Sequence, residues 1–195
     1  MSSKKSEYHH GDLRESLLKA ARETLEQEGA SGLSLRDLAR RTGVSHGAPY
    51  RHFASRQDLL AALAAEGFNE LSQCLRAKED TSLKAMGEAY IAFAVVNPSL
   101  YKLMFSPELD RTKPQFLSDS ASEAFNRLRK QTGRADQDQS GTLAAWALVH
   151  GLSGILIDRL LAKELLDPEE LPELIESVLG HLDIAKSNNG SQKID

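Results

Sequence analysis

SLRDLARRTGVSHGAPYRHF, residues 34–53, decides how this chain is read. Its first half is an amphipathic helix with Leu35, Leu38 and Ala39 at inward positions. Ser34 stands where an N-cap is wanted and Asp37 lies three residues on, the spacing of a capping box. Gly43 falls where a helix ends in a left-handed residue. The second half predicts a short helix over about 46–53, capped by the Ser45 side chain. Gly47 and Pro49 make that helix weak by propensity, yet Ser45, His46, Tyr50, Arg51 and His52 crowd onto it. Two short helices around a glycine turn fit a helix-turn-helix.

Helical periods extend outward in both directions. Leu13, Leu17, Ala21 and Leu25 make one face of a preceding helix, with Asp12 as expected cap and Glu15 as its box acid. Ser55 with Asp58 opens a following helix that carries Leu59, Leu63, Phe68, Leu71 and Leu75. Further helices are expected over about 82–96, ended by Asn97-Pro98, then over PSLYKLMF, 115–131 and 139–163. A last helix is expected after Asp167-Pro168-Glu169-Glu170, with the stripe Leu171, Leu174, Ile175, Val178 and Leu182. No strand alternation or repeat competes, so the fold class is all-α. An N-terminal three-helix unit precedes a larger helical body.

The caps Asp12, Ser34, Ser55 and Asp167 each carry an acid three residues on, whereas Ser45 is followed by Ala48. An acid there would repel phosphate at a helix start that otherwise attracts anions. Gly47 and Ala48 are small enough for close approach to base edges or a thymine methyl group. Each residue taken singly also suits a loop, a solvated surface or the core. Charge adds to the pattern. Residues 1–56 hold ten Lys and Arg against seven Asp and Glu, and the rest holds 14 against 21, on a chain of net charge −4. A basic head on an acidic body is an asymmetry of nucleic-acid binders.

The 41% hydrophobic, 27% charged composition is that of a globular protein. The single cysteine excludes an internal disulfide. The polar start MSSKKSEYHHGD is unlike a signal peptide, and no run of about 18 apolar residues is read, so a cytoplasmic protein without a membrane span is expected. No G-x-S-x-G, phosphate-binding glycine loop or H-E-x-x-H occurs. His9-His10 lack helical metal-pair spacing, so neither an enzyme, a metal site nor a cofactor is expected. A catalytic protein, or a helical ligand-binding dimer without DNA function, is the alternative.

The segment from Tyr8 to Phe68, with LSLRDLARRTGVS, Y-x-H-F and S-R-x-D-L-L, resembles the DNA-binding domain of TetR-family transcriptional regulators. NPSLYKLMF and the W-x-x-x-H-G pattern of Trp146, His150 and Gly151 resemble one branch of that family. The resemblance implies a helix-turn-helix domain over 8–56 and a helical effector-binding and dimerisation domain over 57–185. The polar stretch KSNNGSQKID predicts a disordered tail over 186–195, and the resemblance implies a helix of about 56–76 joining the two domains. It implies base or phosphate contact by Arg36, a phosphate-facing cap at Ser45 and base reading by His46, Gly47 and Ala48. Tyr50 and His52 would contact phosphate, Arg51 could reach either, and Arg56 would be a phosphate clamp. Lys4 and Lys5 could add a basic arm. The implied partners are a near-palindromic double-stranded operator, a second copy of the chain and a small effector, with repression relieved by the effector. By placement, Tyr90, Phe93, Tyr101, Met104, Phe105, Phe125, Trp146 and His150 are its candidate contacts, and the scarcity of charge among them suggests a largely hydrophobic molecule. The all-round apolar 142–162 segment calls for a packed partner, with Gly151 and Gly154 allowing close helix crossing.

Overall fold

The computed structural model describes residues 10–77, 80, 82–110, 115–131, 140–161 and 169–187. Every regular element among them is helical: α1 (His10–Glu28), a 3-10 turn (Ala30–Gly32), α2 (Leu35–Arg41), a second 3-10 turn (Pro49–Arg51), α3 (Arg56–Arg76), α4 (Leu83–Val96), α5 (Pro98–Met104), α6 (Gln115–Gln131), α7 (Ser140–Ile157) and α8 (Leu171–Ser187). Contacts divide the chain into two compact units. One holds the chain to Gly67 together with Ser99–Ser118, and the other holds Phe68–Pro98 and the chain from Asp119 onward. This grouping departs from a boundary at residues 56 and 57, because α5 and the turn after it pack with the N-terminal helices.

In the first unit the stripe on α1 is buried at Leu17, Ala21 and Leu25, with Leu13 half-buried. α1 starts at His10, so Asp12 lies inside the helix and is not its cap. The capping box at α2 forms as the spacing predicts: the Asp37 N–H donates to Ser34 Oγ at 3.1 Å, and the Ser34 hydroxyl donates to Asp37 Oδ2 at 3.0 Å. α2 closes with the Val44 N–H donating to the Ala39 carbonyl at 3.0 Å and the Gly43 N–H to Arg40 at 3.3 Å, the paired bonds of a Schellman motif. Gly43 has φ +70°, a conformation that crowds any Cβ. Ser55 Oγ accepts from the Asp58 N–H at 3.2 Å and opens α3. At Gly67 a Cβ would stand 2.7 Å from Met104 Sδ and 2.9 Å from Leu100 Cδ2, so the missing side chain lets α5 lie against α3.

The second unit is built around α4, buried at Leu83, Met86, Tyr90, Ile91, Phe93 and Ala94 and packed on α7 and α8. Ser82 Oγ caps α4 by accepting from the Ala85 N–H at 3.2 Å. A serine before a helix with no acid three residues on is therefore not peculiar to Ser45. Gly87 is where the three helices meet, since a Cβ there would lie 2.7 Å from Leu179 Cδ2 and 3.3 Å from Val149 Cγ1. Lys84 of α4 pairs with Glu176 of α8, and its hydrogen bond and charge hold that carboxyl below the usual range. Arg76 pairs with Glu123 of α6.

α7 departs from expectation in three ways. It is long and apolar enough, by length and composition, to cross a membrane, contrary to the absence of such a run read from sequence. Uncharged Ser, Thr, Gly and His residues break the run to the eye but not on average. Only one face is buried in this chain, at Thr142, Ala145, Val149, Leu152 and Ser153. Gly151 and Gly154 would give a Cβ nothing of this chain within 4 Å, so the close crossing within the chain is at Gly87. α7 also stops at Ile157, short of Lys163, because Arg159 adopts φ +52° and the Leu160 N–H bonds back to the Ile155 carbonyl at 3.0 Å. On α8 the expected stripe residues Leu171, Leu174, Ile175 and Val178 are half-buried, while Leu179 is wholly enclosed. The Asp167-Pro168 cap, the Leu182 side chain, Lys4, Lys5 and residues 188–195 lie outside the described residues, whereas Lys186 and Ser187 continue α8.

Two substitutions test the left-handed helix ends in opposite senses. Gly43→Ala is expected to lower stability to urea by about 1 kcal/mol, and Arg159→Gly to raise it by about 0.5–1 kcal/mol. Equal, negligible shifts in both would remove the strain assigned to these positions.

Candidate nucleic-acid interface

The 46–53 segment is not an α-helix. Its bonds run three residues back: Ala48 N–H to Ser45 O at 2.9 Å, Arg51 N–H to Ala48 O at 3.2 Å and His52 N–H to Pro49 O at 2.9 Å. Only Pro49–Arg51 forms a 3-10 turn. Pro49 has no N–H to give to Ser45, so the α-helical ladder cannot start. The turn has no side-chain cap, and Ser45 serves it through its carbonyl rather than its hydroxyl. This corrects the expected Ser45 cap. The segment is held instead by two inward residues four apart, Pro49 and Phe53, both buried. The Phe53 N–H also reaches the Pro49 carbonyl at 2.9 Å, and the Arg14 guanidinium carbon sits 5.5 Å over the Phe53 ring centre.

With the inner side anchored, the outer side carries the polar groups. Ser45, His46, Gly47 and Arg51 are exposed, and Tyr50 is 54% exposed despite its size. Ala48 and His52 are half-buried, and His52 Nε2 is enclosed by protein. A Cβ at Gly47 would meet nothing within 4 Å, so packing within the chain does not ask for glycine there. α2 adds Arg36, exposed at its second helical position. Among the described residues neither Arg36 nor Arg51 has an acidic partner, whereas Arg40 is tied to Asp37 at 3.1 Å and Arg41 to Glu28. The outcome is one exposed, cationic and partly aromatic face on α2 and the 45–52 turn, which pack together. Arg56 differs from the rest of the expected set. Its guanidinium is turned to the Leu33 and Ala30 carbonyls, at 3.1 and 2.6 Å.

The eight candidate effector contacts do not form one described set. Tyr101, Met104 and Phe105 belong to the first unit, where Tyr101 and Phe105 lie 5.0 Å apart and Met104 is wholly buried beside Gly67. Tyr90, Phe93, Phe125, Trp146 and His150 belong to the second. Four of those five are linked across three helices. Tyr90 Oη and His150 Nδ1 are 3.1 Å apart, the His150 and Trp146 rings 5.1 Å, and the Trp146 and Phe125 rings 6.5 Å at near right angles. Sequence reasoning missed Arg14, Pro49 and Phe53 as anchors of the outer face. Proline and phenylalanine at a spacing of four were a visible signal, but Arg14 needed the fold.

Two family profiles match the chain. One, described as bacterial regulatory proteins of the tetR family, matches residues 17–63. The other, described as a tetracyclin repressor-like C-terminal domain, matches residues 83–179. The uncharacterized HTH-type transcriptional regulator YobS of Bacillus subtilis is 27% identical over 83% of this chain and 84% of its own length. The class D tetracycline repressor protein of Escherichia coli is 27% identical over 92% of this chain and 82% of its own length. A solved structure of a protein of unknown function from Rhodococcus sp. RHA1 is 32% identical, covers 92% of this chain and 96% of its own, and superposes with a TM-score of 0.68.

The two serines at helix starts are expected to behave differently. Ser34→Ala should cost about 1 kcal/mol in urea unfolding, as the loss of a side-chain cap does. Ser45→Ala, whose carbonyl is retained, should shift stability by less than about 0.5 kcal/mol. A larger loss for Ser45 than for Ser34 would contradict the bonding described.

Proposed function

The chain belongs to the TetR family of helix-turn-helix transcriptional regulators, and from that membership we propose that it is a cytoplasmic, homodimeric repressor released from a palindromic operator by a small, largely hydrophobic effector. What carries the proposal is the outer face of α2 and the 45–52 turn. Two cations, Arg36 and Arg51, stand there without acidic partners among the described residues, beside a glycine that nothing inside the chain requires. Arg36, His46, Gly47 and Ala48 enter the major groove, where small residues allow contact with base edges and thymine methyl groups. Ser45, Tyr50, Arg51 and His52 lie along the phosphates and supply affinity that falls with salt. The class D tetracycline repressor is by its name a repressor, which favours that sign of regulation.

The dimer rests on α7. Leu143, Ala144, Ala147 and Gly151 form an exposed apolar face at helical spacing, with Leu143 56% exposed. Apolar surface of this kind on a soluble chain marks an interface. A second copy related by a two-fold axis would cover it and place two reading faces on a symmetric site. The effector contacts are sought first among Tyr90, Phe125, Trp146 and His150, with Phe93, Tyr101, Met104 and Phe105 as the wider set. An apolar surround with one polar pair suits a hydrophobic molecule with a single hydrogen-bonding group. To relieve repression it must bind better to a conformer that does not fit DNA, and α3, which runs through both units, is the element that would transmit the difference.

Selection from random duplex DNA should enrich an inverted repeat. Arg36→Ala should weaken binding to the winner about 5- to 100-fold, in the range for loss of a base contact, and Tyr50→Phe by less. No enrichment from a folded dimer freed of copurified ligand would sink the regulatory reading. Sedimentation of Leu143→Asp should show monomers, and an unchanged dimer would move the interface elsewhere.

A further inference from the structure

We propose that Arg56 is a positioning residue of the DNA-binding unit and not a phosphate contact: its guanidinium fixes the turn from which α2 starts. The proposal rests on the DNA-binding function given above and deepens it. All three guanidinium nitrogens are directed at protein. Nε donates to the Leu33 carbonyl at 3.1 Å, one Nη donates to the Ala30 carbonyl at 2.6 Å, and the other Nη lies 3.8 Å from Glu108 Oε2. The Nε–Nη edge of the guanidinium, one of the two that can bind phosphate bidentately, is thus spent on two carbonyls. The remaining nitrogen faces a carboxylate, which repels phosphate.

The carbonyls it holds are placed to matter. Ala30 and Leu33 bracket the 3-10 turn that leads into Ser34, the cap of α2, and Arg36 stands two residues beyond that cap. The side chain that opens α3 thereby sets where α2 begins. The Glu108 backbone is held in place, since its N–H donates to Ser106 Oγ at 3.1 Å, the Ser106 N–H donates to Leu103 O at 3.0 Å, and neighbouring Leu109 is buried. Arg56 consequently ties together the entry to α2, the start of α3 and the turn after α5. A lysine could supply the charge but not the planar fork that reaches two carbonyls at once. That difference separates positioning from a phosphate contact.

The test uses the full-length chain with Arg56→Lys, Arg56→Gln and Glu108→Gln. Two readouts are taken: binding to a labelled duplex carrying the selected inverted repeat over a range of salt, and amide hydrogen exchange of the free protein over residues 30–38. Positioning predicts that both Arg56 variants bind about 10-fold more weakly, as loss of charged hydrogen bonds does, with the salt slope unchanged. It predicts faster exchange over 30–38 in both, and Glu108→Gln within about twofold of wild type in affinity. Retained affinity in Arg56→Lys, with a slope lower by about 0.9 in Arg56→Gln, is the signature of one lost phosphate contact and would overturn the proposal. So would a Glu108→Gln variant that binds more tightly with a steeper slope. Should the wild-type protein bind no duplex, the regulatory function fails on its own, and exchange still decides Arg56: unaltered protection over 30–38 in both variants overturns positioning.

Discussion

Pro49 cannot donate a backbone hydrogen bond, and the outer face of the first unit is arranged around that deficit. A segment of eight residues with a proline in its middle and a glycine before it has no stability of its own as a helix. It survives as one 3-10 turn because Pro49 and Phe53 point inward and are buried, and because α2 reaches it through the Schellman closure at Gly43 and Val44. What is lost in helical bonding is regained in access. Residues 45–47 are exposed, and the tight turn leaves Tyr50 and Arg51 displayed.

Local rules were legible where the partners sit three to five residues apart. The Ser34–Asp37 box, the Ser55–Asp58 cap, the left-handed Gly43 and the end of α4 at Asn97 all follow from spacing, and all form. The same rules misfired where a pattern had two solutions. Asp12 has a box acid at the right distance, yet α1 begins before it. Ser45 has a capping side chain, yet the turn uses its carbonyl. The end of α7 was overrun because the left-handed position is filled by Arg159, where sequence offers no glycine to mark the stop.

What could not be read is what depends on distant residues. Nothing local to Gly87 announces that Leu179 and Val149 press on it, nor that Gly67 admits α5, nor that the outer glycines of α7 meet no atoms of their own chain. The partners of Arg56 come from residues 30, 33 and 108, so the resemblance that suggested a phosphate contact gave no sign of them. The set at Arg36, Ser45, His46, Gly47, Tyr50 and Arg51 lies within 16 residues, and each of its members is exposed. The effector candidates, drawn from 61 residues of chain, separate into two groups.

The measurement that bears most directly on the claim of a reading face is amide hydrogen exchange of the wild-type protein with and without the duplex it selects. Slowed exchange centred on residues 34–53, with α4 and α7 little altered in the same experiment, is the expected result, since Arg36 and Arg51 are exposed there without acidic partners among the described residues. Protection elsewhere with none over 34–53 would place DNA on a different surface and contradict the function derived from this one.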